Sequence, residues 1–163
     1  MNWFKFEKAL RLLLEYYPKI EQDKPILFHS VRVGTYFYNN WYSEDVQIAW
    51  LLHDALEDTN MTKDVIKESF WENVLKIVLA NTKTQDLPEE EVEEDIVKKC
   101  IKSWEDALIV KMIDVYDNFL FYANENITSE IQKSKKFAKL IKEHKPDSWN
   151  DNALSLYDEI LEF

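Results

Sequence analysis

The chain has 163 residues, of which 46% are hydrophobic, and this length and composition suit one ordinary domain with a substantial core. A single glycine and four prolines argue against hairpin-rich folds, which use glycine in their turns, and favour helices joined by short connections. The net charge of −11 opposes nonspecific nucleic-acid binding, because a surface of that sign repels a phosphate backbone. We therefore predict an all-α protein, one compact helical bundle over residues 1–163.

The first three helices follow from apolar residues that recur at helical spacing and from the capping residues between them. An amphipathic helix is predicted to reach about Tyr17, and a second to start after Pro25 and end near Asn39. Ser43 is predicted to cap a third helix that runs to about Asp58.

The remaining elements bring the predicted total to about eight helices. They are a short helix capped by Thr62 and helices over about 74–79, from 88–95 onward, and over about 106–122, 129–144 and 148–161. The acidic run at 88–95 is typical of a solvated helix start. No stretch approaches the roughly 18 apolar residues of a membrane span, and the single Cys100 forms no intramolecular disulfide. We expect a soluble, cytoplasmic protein.

The segment at 51–59 concentrates ionisable groups directly behind apolar residues. Its sequence is Leu51-Leu52-His53-Asp54-Ala55-Leu56-Glu57-Asp58-Thr59. Positions four apart share a helix face. Glu57 is therefore predicted to lie one turn beyond His53 on the same face, and Asp58 one turn beyond Asp54. His53 and Asp54 can both reach a metal over the helix edge, while Glu57 and Asp58 project further along the same cleft.

Two other segments carry polar groups inside apolar helices. Asp114 lies in such a helix with Asn118 four residues later, and a buried carboxylate there needs a cation, an arginine or a metal. His29 lies between apolar neighbours near a helix start. Alone, His29 is typical of a core histidine and Asp114 of an ion-pair partner. Together with His53 and Asp54, they supply a nitrogen and oxygen ligand set suited to Mn²⁺, Fe²⁺, Zn²⁺ or Co²⁺.

The order of these motifs resembles the HD superfamily of metal-dependent phosphohydrolases. His29-Ser30-Val31-Arg32-Val33 is similar to its first motif. The segments at 51–59 and 110–118 resemble the hydrolase domain of RelA/SpoT proteins and the small SpoT-like alarmone hydrolases, and the resemblance covers about 19–121. It implies an HD-type helical fold and removal of pyrophosphate from the 3′ position of guanosine tetra- or pentaphosphate.

The resemblance also implies a role for each motif residue. The implied ligands of a Mn²⁺ ion are His29, His53, Asp54 and Asp114. Glu57 and Asp58 are implied to serve the attacking water, and Asn118 to lie at the nucleotide sugar. Lys19 and Lys111 are further candidates for substrate binding, since an acidic protein needs cations for a phosphate ester.

Two other functions stay open at this point. One is an HD-type nucleotidase acting on (deoxy)nucleoside monophosphates, a reading favoured by Ser30, where the alarmone hydrolases commonly have proline. The other is a catalytically silent HD domain that binds a nucleotide. The Glu57–Asp58 pair favours catalysis. We expect the chain to bind a small nucleotide and to bind neither nucleic acid nor a membrane. The expected metal is Mn²⁺, in preference to Fe²⁺, Zn²⁺, Co²⁺ or Mg²⁺. The oligomeric state stays open.

Overall fold

A computed structural model describes residues 3–17 and 25–163 of the chain. Over these residues it contains ten α-helices, one 3-10 helix and no strand, which confirms the all-α prediction. The chain divides into two compact units, Met1–Thr82 and Lys83–Phe163. The expectation of one domain over 1–163 stays a prediction. Within the described ranges, no helix combines the length and the apolar character needed to cross a membrane.

The first unit is built around one buried helix. Its six helices are α1 (Trp3–Tyr16), α2 (Ile26–Asn39), α3 (Glu44–Leu52), α4 (Ala55–Asp58), α5 (Lys63–Ser69) and α6 (Glu72–Asn81). α1, α2 and α6 all pack against α3, and α5 packs against α6. Every α3 residue from Val46 to Leu52 is buried, which explains the apolar character of that segment.

Two helix starts in this unit confirm the predicted caps. The Ser43 hydroxyl accepts a hydrogen bond from the Val46 N–H at 3.3 Å, and the Thr62 hydroxyl accepts one from the Val65 N–H at 3.4 Å. Each bond satisfies a backbone donor that has no partner inside the helix. These caps set where α3 and α5 begin.

The third helix does not run to Asp58 as predicted. α3 ends at Leu52, and the short α4 starts at Ala55 after a turn formed by His53 and Asp54. The His53 N–H donates to the Trp50 carbonyl at 3.3 Å, three residues back, and Asp54 has φ −92° and ψ −4°. The backbone therefore tightens at the two residues that carry the motif.

The second unit is organised around α8. Its elements are α7 (Glu89–Ser103), α8 (Glu105–Asn124), α9 (Thr128–His144), a 3-10 helix (Asn152–Leu156) and α10 (Tyr157–Glu162). α8 packs against each of the other four elements, and its residues from Ala107 to Val115 are all buried. The predicted bounds of α8 and α9 agree with the structure to within about a turn.

The helix predicted over 148–161 is wrong in its first half. Asp151 accepts a hydrogen bond from the Ala153 N–H at 2.8 Å and opens the 3-10 helix at Asn152, so α10 begins only at Tyr157. The described residues therefore hold more helical elements than the eight or so expected, and two of the predicted helices each divide in two.

Cys100 on α7 is fully buried, and that burial raises the pKa of its thiol to about 12. Since the thiolate is the reactive form, we expect iodoacetamide at pH 8 to leave Cys100 unmodified in the folded chain and to label it rapidly in urea. Because the folded state holds the thiol proton more tightly, stability should fall as pH rises from the ordinary cysteine value towards 12. Stoichiometric labelling without denaturant, detected by mass spectrometry, would contradict this account.

Candidate functional site

His53 lies where α3 ends, and its imidazole is held by the backbone. The ring is only 1% exposed, and Nδ1 lies 2.7 Å from the Trp50 carbonyl oxygen. A carbonyl oxygen only accepts hydrogen bonds, so Nδ1 carries the hydrogen in this contact. Nε2 is then the nitrogen left to bind a metal, the arrangement usual for a histidine ligand whose other nitrogen is anchored.

The carboxylate of Asp54 faces this same nitrogen. His53 Nε2 lies 2.9 Å from Asp54 Oδ2, while about a third of the Asp54 side chain is exposed. If the ring is neutral, this contact places a nitrogen lone pair against a carboxylate oxygen. A proton or a cation relieves the resulting repulsion. The pair therefore forms a partly open, negatively polarised position suited to a metal ion.

His29 on α2 joins this pair within the first unit. It is also 1% exposed, and its ring centroid lies 5.8 Å from that of His53. One ligand nitrogen of each histidine lies within 4.8 Å of the other. The two imidazole nitrogens thus lie near each other, and the Asp54 carboxylate oxygen lies against the one from His53; the chemistry of these donors fits a divalent transition metal.

Trp50 is a residue of this site that the sequence did not single out. Its indole stacks on the His53 ring at 4.3 Å and 20°, and it meets the His29 ring edge-on at 5.1 Å and 68°. The apolar spacing of α3 predicts only a core tryptophan at this position. The signal that could have identified it is its place three residues before His53, one helical turn away.

Glu57 and Asp58 are on α4, directly after the metal-binding candidates. Both of their N–H groups donate to the Asp54 carbonyl, at 3.0 and 2.9 Å. Glu57 is half-buried and Asp58 is exposed. The structure therefore keeps both carboxylates within one turn of Asp54, although the continuous helix that was expected to align them is interrupted.

Tyr17, just after α1, also faces this acidic group. Its hydroxyl is buried and has no hydrogen-bond partner among the described residues. Burial, followed by the negative charges of Asp58 and Asp54, raises the pKa of Tyr17 above its usual range. The hydroxyl is therefore a neutral donor at physiological pH. The sequence identified Tyr17 only as a helix end.

Asp114 is described within the second unit, where two side chains hold it. Its Oδ2 lies 2.8 Å from the Lys111 ammonium, and its Oδ1 accepts a hydrogen bond from Asn118 Nδ2 at 2.7 Å. The Lys111 and Asp114 side chains are 7% and 9% exposed. Lys111 therefore supplies the cation that a buried carboxylate at this position requires.

The remaining substrate candidate cannot be placed in this way. Lys19 lies outside the described residues. Among the described residues, the predicted ligands and water-serving carboxylates of the first unit lie together, and Asp114, Asn118 and Lys111 lie together in the second. Their individual roles stay predictions.

Comparison with known sequences finds relatives for part of the chain. No protein-family model matches it. A guanosine-3′,5′-bis(diphosphate) 3′-pyrophosphohydrolase of Borreliella burgdorferi is 35% identical over 82 residues, 49% of this chain. The protein of the same name from Aquifex aeolicus is 33% identical over 103 residues, 61% of this chain. The matched regions are only 12% and 15% of those two proteins, so this chain corresponds to a small part of each.

Solved structures match over more of the chain. A metazoan ortholog of SpoT, reported to hydrolyse ppGpp, superposes with a TM-score of 0.77 at 22% identity, covering 97% of this chain and 94% of that one. The lmo0812 protein of Listeria monocytogenes gives a TM-score of 0.68 at 24% identity, covering 82% of this chain and 96% of that one. The resemblance drawn from the motifs is thereby confirmed: this chain is similar in sequence to a part of two guanosine-3′,5′-bis(diphosphate) 3′-pyrophosphohydrolases and shares the fold of a SpoT ortholog.

Proposed function

We propose that this chain is a metal-dependent phosphohydrolase that removes pyrophosphate from the 3′ position of guanosine tetra- or pentaphosphate. The observation that carries the proposal is the geometry of His53, whose Nδ1 binds a backbone carbonyl while its Nε2 faces the Asp54 carboxylate at 2.9 Å. The names of both curated relatives support the choice of substrate.

We further propose that His29, His53, Asp54 and Asp114 hold the ion, with Mn²⁺ preferred over Fe²⁺, Zn²⁺, Co²⁺ or Mg²⁺. The buried histidines and the partly exposed Asp54 of the first unit support three of these assignments. Asp114 is assigned from its motif and from its buried carboxylate. When bound, a divalent ion supplies positive charge to a phosphoryl oxygen and makes an attacking water more acidic.

Glu57 and Asp58 are proposed to orient that water and take its proton. The water oxygen bonds to the phosphorus attached to the 3′ oxygen, and the bond between that phosphorus and the 3′ oxygen breaks. The 3′ oxygen then receives the proton from the carboxylate, so that pyrophosphate and the guanosine 5′-di- or triphosphate are released. Positioned carboxylates of this kind contribute roughly 10²–10⁴-fold to a rate.

Asn118 and Lys19 are proposed as substrate contacts, at the sugar and at a phosphate. For Lys111, its buried ion pair favours a role through Asp114 over direct contact with the substrate. We also propose a cytoplasmic location, since the single cysteine is buried as a free thiol.

Product analysis tests the function. The metal-free chain is incubated with and without Mn²⁺ against guanosine tetraphosphate and against nucleoside mono-, di- and triphosphates. Release of pyrophosphate and GDP that requires Mn²⁺ is the expected result. Phosphate release from monophosphates instead assigns the chain to the nucleotidases, and binding of guanosine tetraphosphate without turnover under any metal makes it a silent nucleotide-binding domain.

A further inference from the structure

We propose that Trp50 is a positioning residue that sets the orientation of both histidines of the proposed metal site, an inference that rests on the proposed function. Trp50 is 0% exposed, so its side chain does not contact solvent. It acts through its neighbours, because one indole touches the two imidazoles from different sides.

The first contact is with His53. The two ring planes are nearly parallel, 20° apart, with centroids 4.3 Å from each other. The stacked indole blocks rotation of the imidazole about its side-chain bond on that face. The Trp50 carbonyl meanwhile fixes the direction of Nδ1 at 2.7 Å. A single residue thus constrains the His53 ring both in plane and in tilt.

The second contact joins α3 to α2. The indole Nε1 donates to the Ser30 carbonyl at 2.9 Å, and Ser30 directly follows His29. The same indole packs against the edge of the His29 ring at 5.1 Å. A shift of the indole therefore moves both the helix segment that carries His29 and the ring itself.

The indole has little freedom to move. Phe37 packs against Trp50 with a centroid distance of 5.6 Å, and both side chains are fully buried. Metal sites require their ligands to be held to within about 0.5 Å of the productive geometry. Loss of a group that orients a ligand typically weakens metal binding about 10- to 100-fold. A tryptophan that served only as core filling would instead affect stability alone.

The experiment compares two substitutions of Trp50 with a matched control. Trp50→Phe keeps an aromatic ring beside His53 but removes the indole donor to Ser30, and Trp50→Leu removes the stack as well. The control is Trp71→Phe, which also removes one indole hydrogen bond in the first unit, the one donated to the Asp45 carboxylate. Mn²⁺ affinity is measured by calorimetric titration of each metal-free chain, and stability by urea unfolding.

We expect Trp50→Phe to weaken Mn²⁺ binding about tenfold and Trp50→Leu about a hundredfold, with Trp71→Phe at the wild-type affinity. If Trp50→Leu does not fold, Trp50→Phe decides the question. Wild-type affinity in Trp50→Phe, or equal weakening in Trp71→Phe, overturns the proposed role. A wild-type chain that binds Mn²⁺ without hydrolysing guanosine tetraphosphate contradicts the proposed function but leaves this role testable through affinity. A wild-type chain that binds no divalent ion overturns both.

Discussion

Asp54→Ala is expected to remove both bound Mn²⁺ and turnover, whereas Glu57→Ala is expected to keep the ion and lose turnover by about 10²–10⁴-fold. The difference follows from the positions of the two carboxylates. Asp54 faces His53 Nε2 at 2.9 Å, whereas Glu57 lies one turn further along, on α4. Metal content by elemental analysis and steady-state rates on guanosine tetraphosphate measure the two effects separately.

Neither substitution should unfold the chain, since Asp54 is about one-third exposed and Glu57 is half-buried. Asp64→Ala serves as the control, because Asp64 is an exposed acid in the first turn of α5. It should change neither metal content nor rate. Equal loss of metal in Asp54→Ala and Glu57→Ala would show that metal binding by Asp54 and activation of water by Glu57 are not separate roles.

Lys111→Met is expected to lower the free energy of unfolding of the metal-free chain by about 3–5 kcal/mol. The substitution keeps much of the aliphatic bulk and removes the ammonium, so the Asp114 carboxylate is left buried with its counter-charge gone. Only the Asn118 amide then remains of the two side-chain contacts described for it. Urea unfolding followed by circular dichroism measures the loss.

A second substitution isolates the electrostatic cause. In Lys111→Met/Asp114→Asn the carboxylate charge is removed together with the ammonium, so much of the stability should return. As a control, Lys142→Met breaks the ion pair with Asp158 in the same unit, which has a similar length but about half-exposed side chains. This substitution should leave the midpoint of urea unfolding nearly unchanged. If Lys111→Met unfolds at the wild-type urea concentration, the buried pair is not a determinant of stability.

Local signals account for the parts of the fold that the sequence predicted. Ser43 and Thr62 cap their helices through contacts with residues only three positions further along the chain, so the residues that decide each helix start are close together in sequence. The break after Leu52 was not predictable in this way. No glycine or proline interrupts 51–59, and the apolar spacing continues across it. The helix ends there because the His53 ring and N–H both bind the Trp50 carbonyl.

Residue type identified the candidate ligands, because histidines and aspartates are conspicuous inside apolar helices. It could not identify Trp50, since a tryptophan suits any buried helix and its contact with His29 depends on how α2 packs against α3. Lys111 is a different case. Its three-residue spacing from Asp114 was visible in the sequence, but the choice between a buried pair and a phosphate contact depended on the burial of α8.

The carbonyl that anchors His53 belongs to the main chain, so it is present whatever side chain occupies position 50. In a helix continued past Leu52, that oxygen would be drawn into a bond with the Asp54 N–H, and the imidazole would lose its acceptor. The position at which α3 ends therefore determines that the hydrogen of the His53 ring lies on Nδ1. Point mutations elsewhere in the first unit that leave α3 ending at Leu52 should therefore keep this proton on Nδ1, whereas a change that lengthens the helix should remove its acceptor.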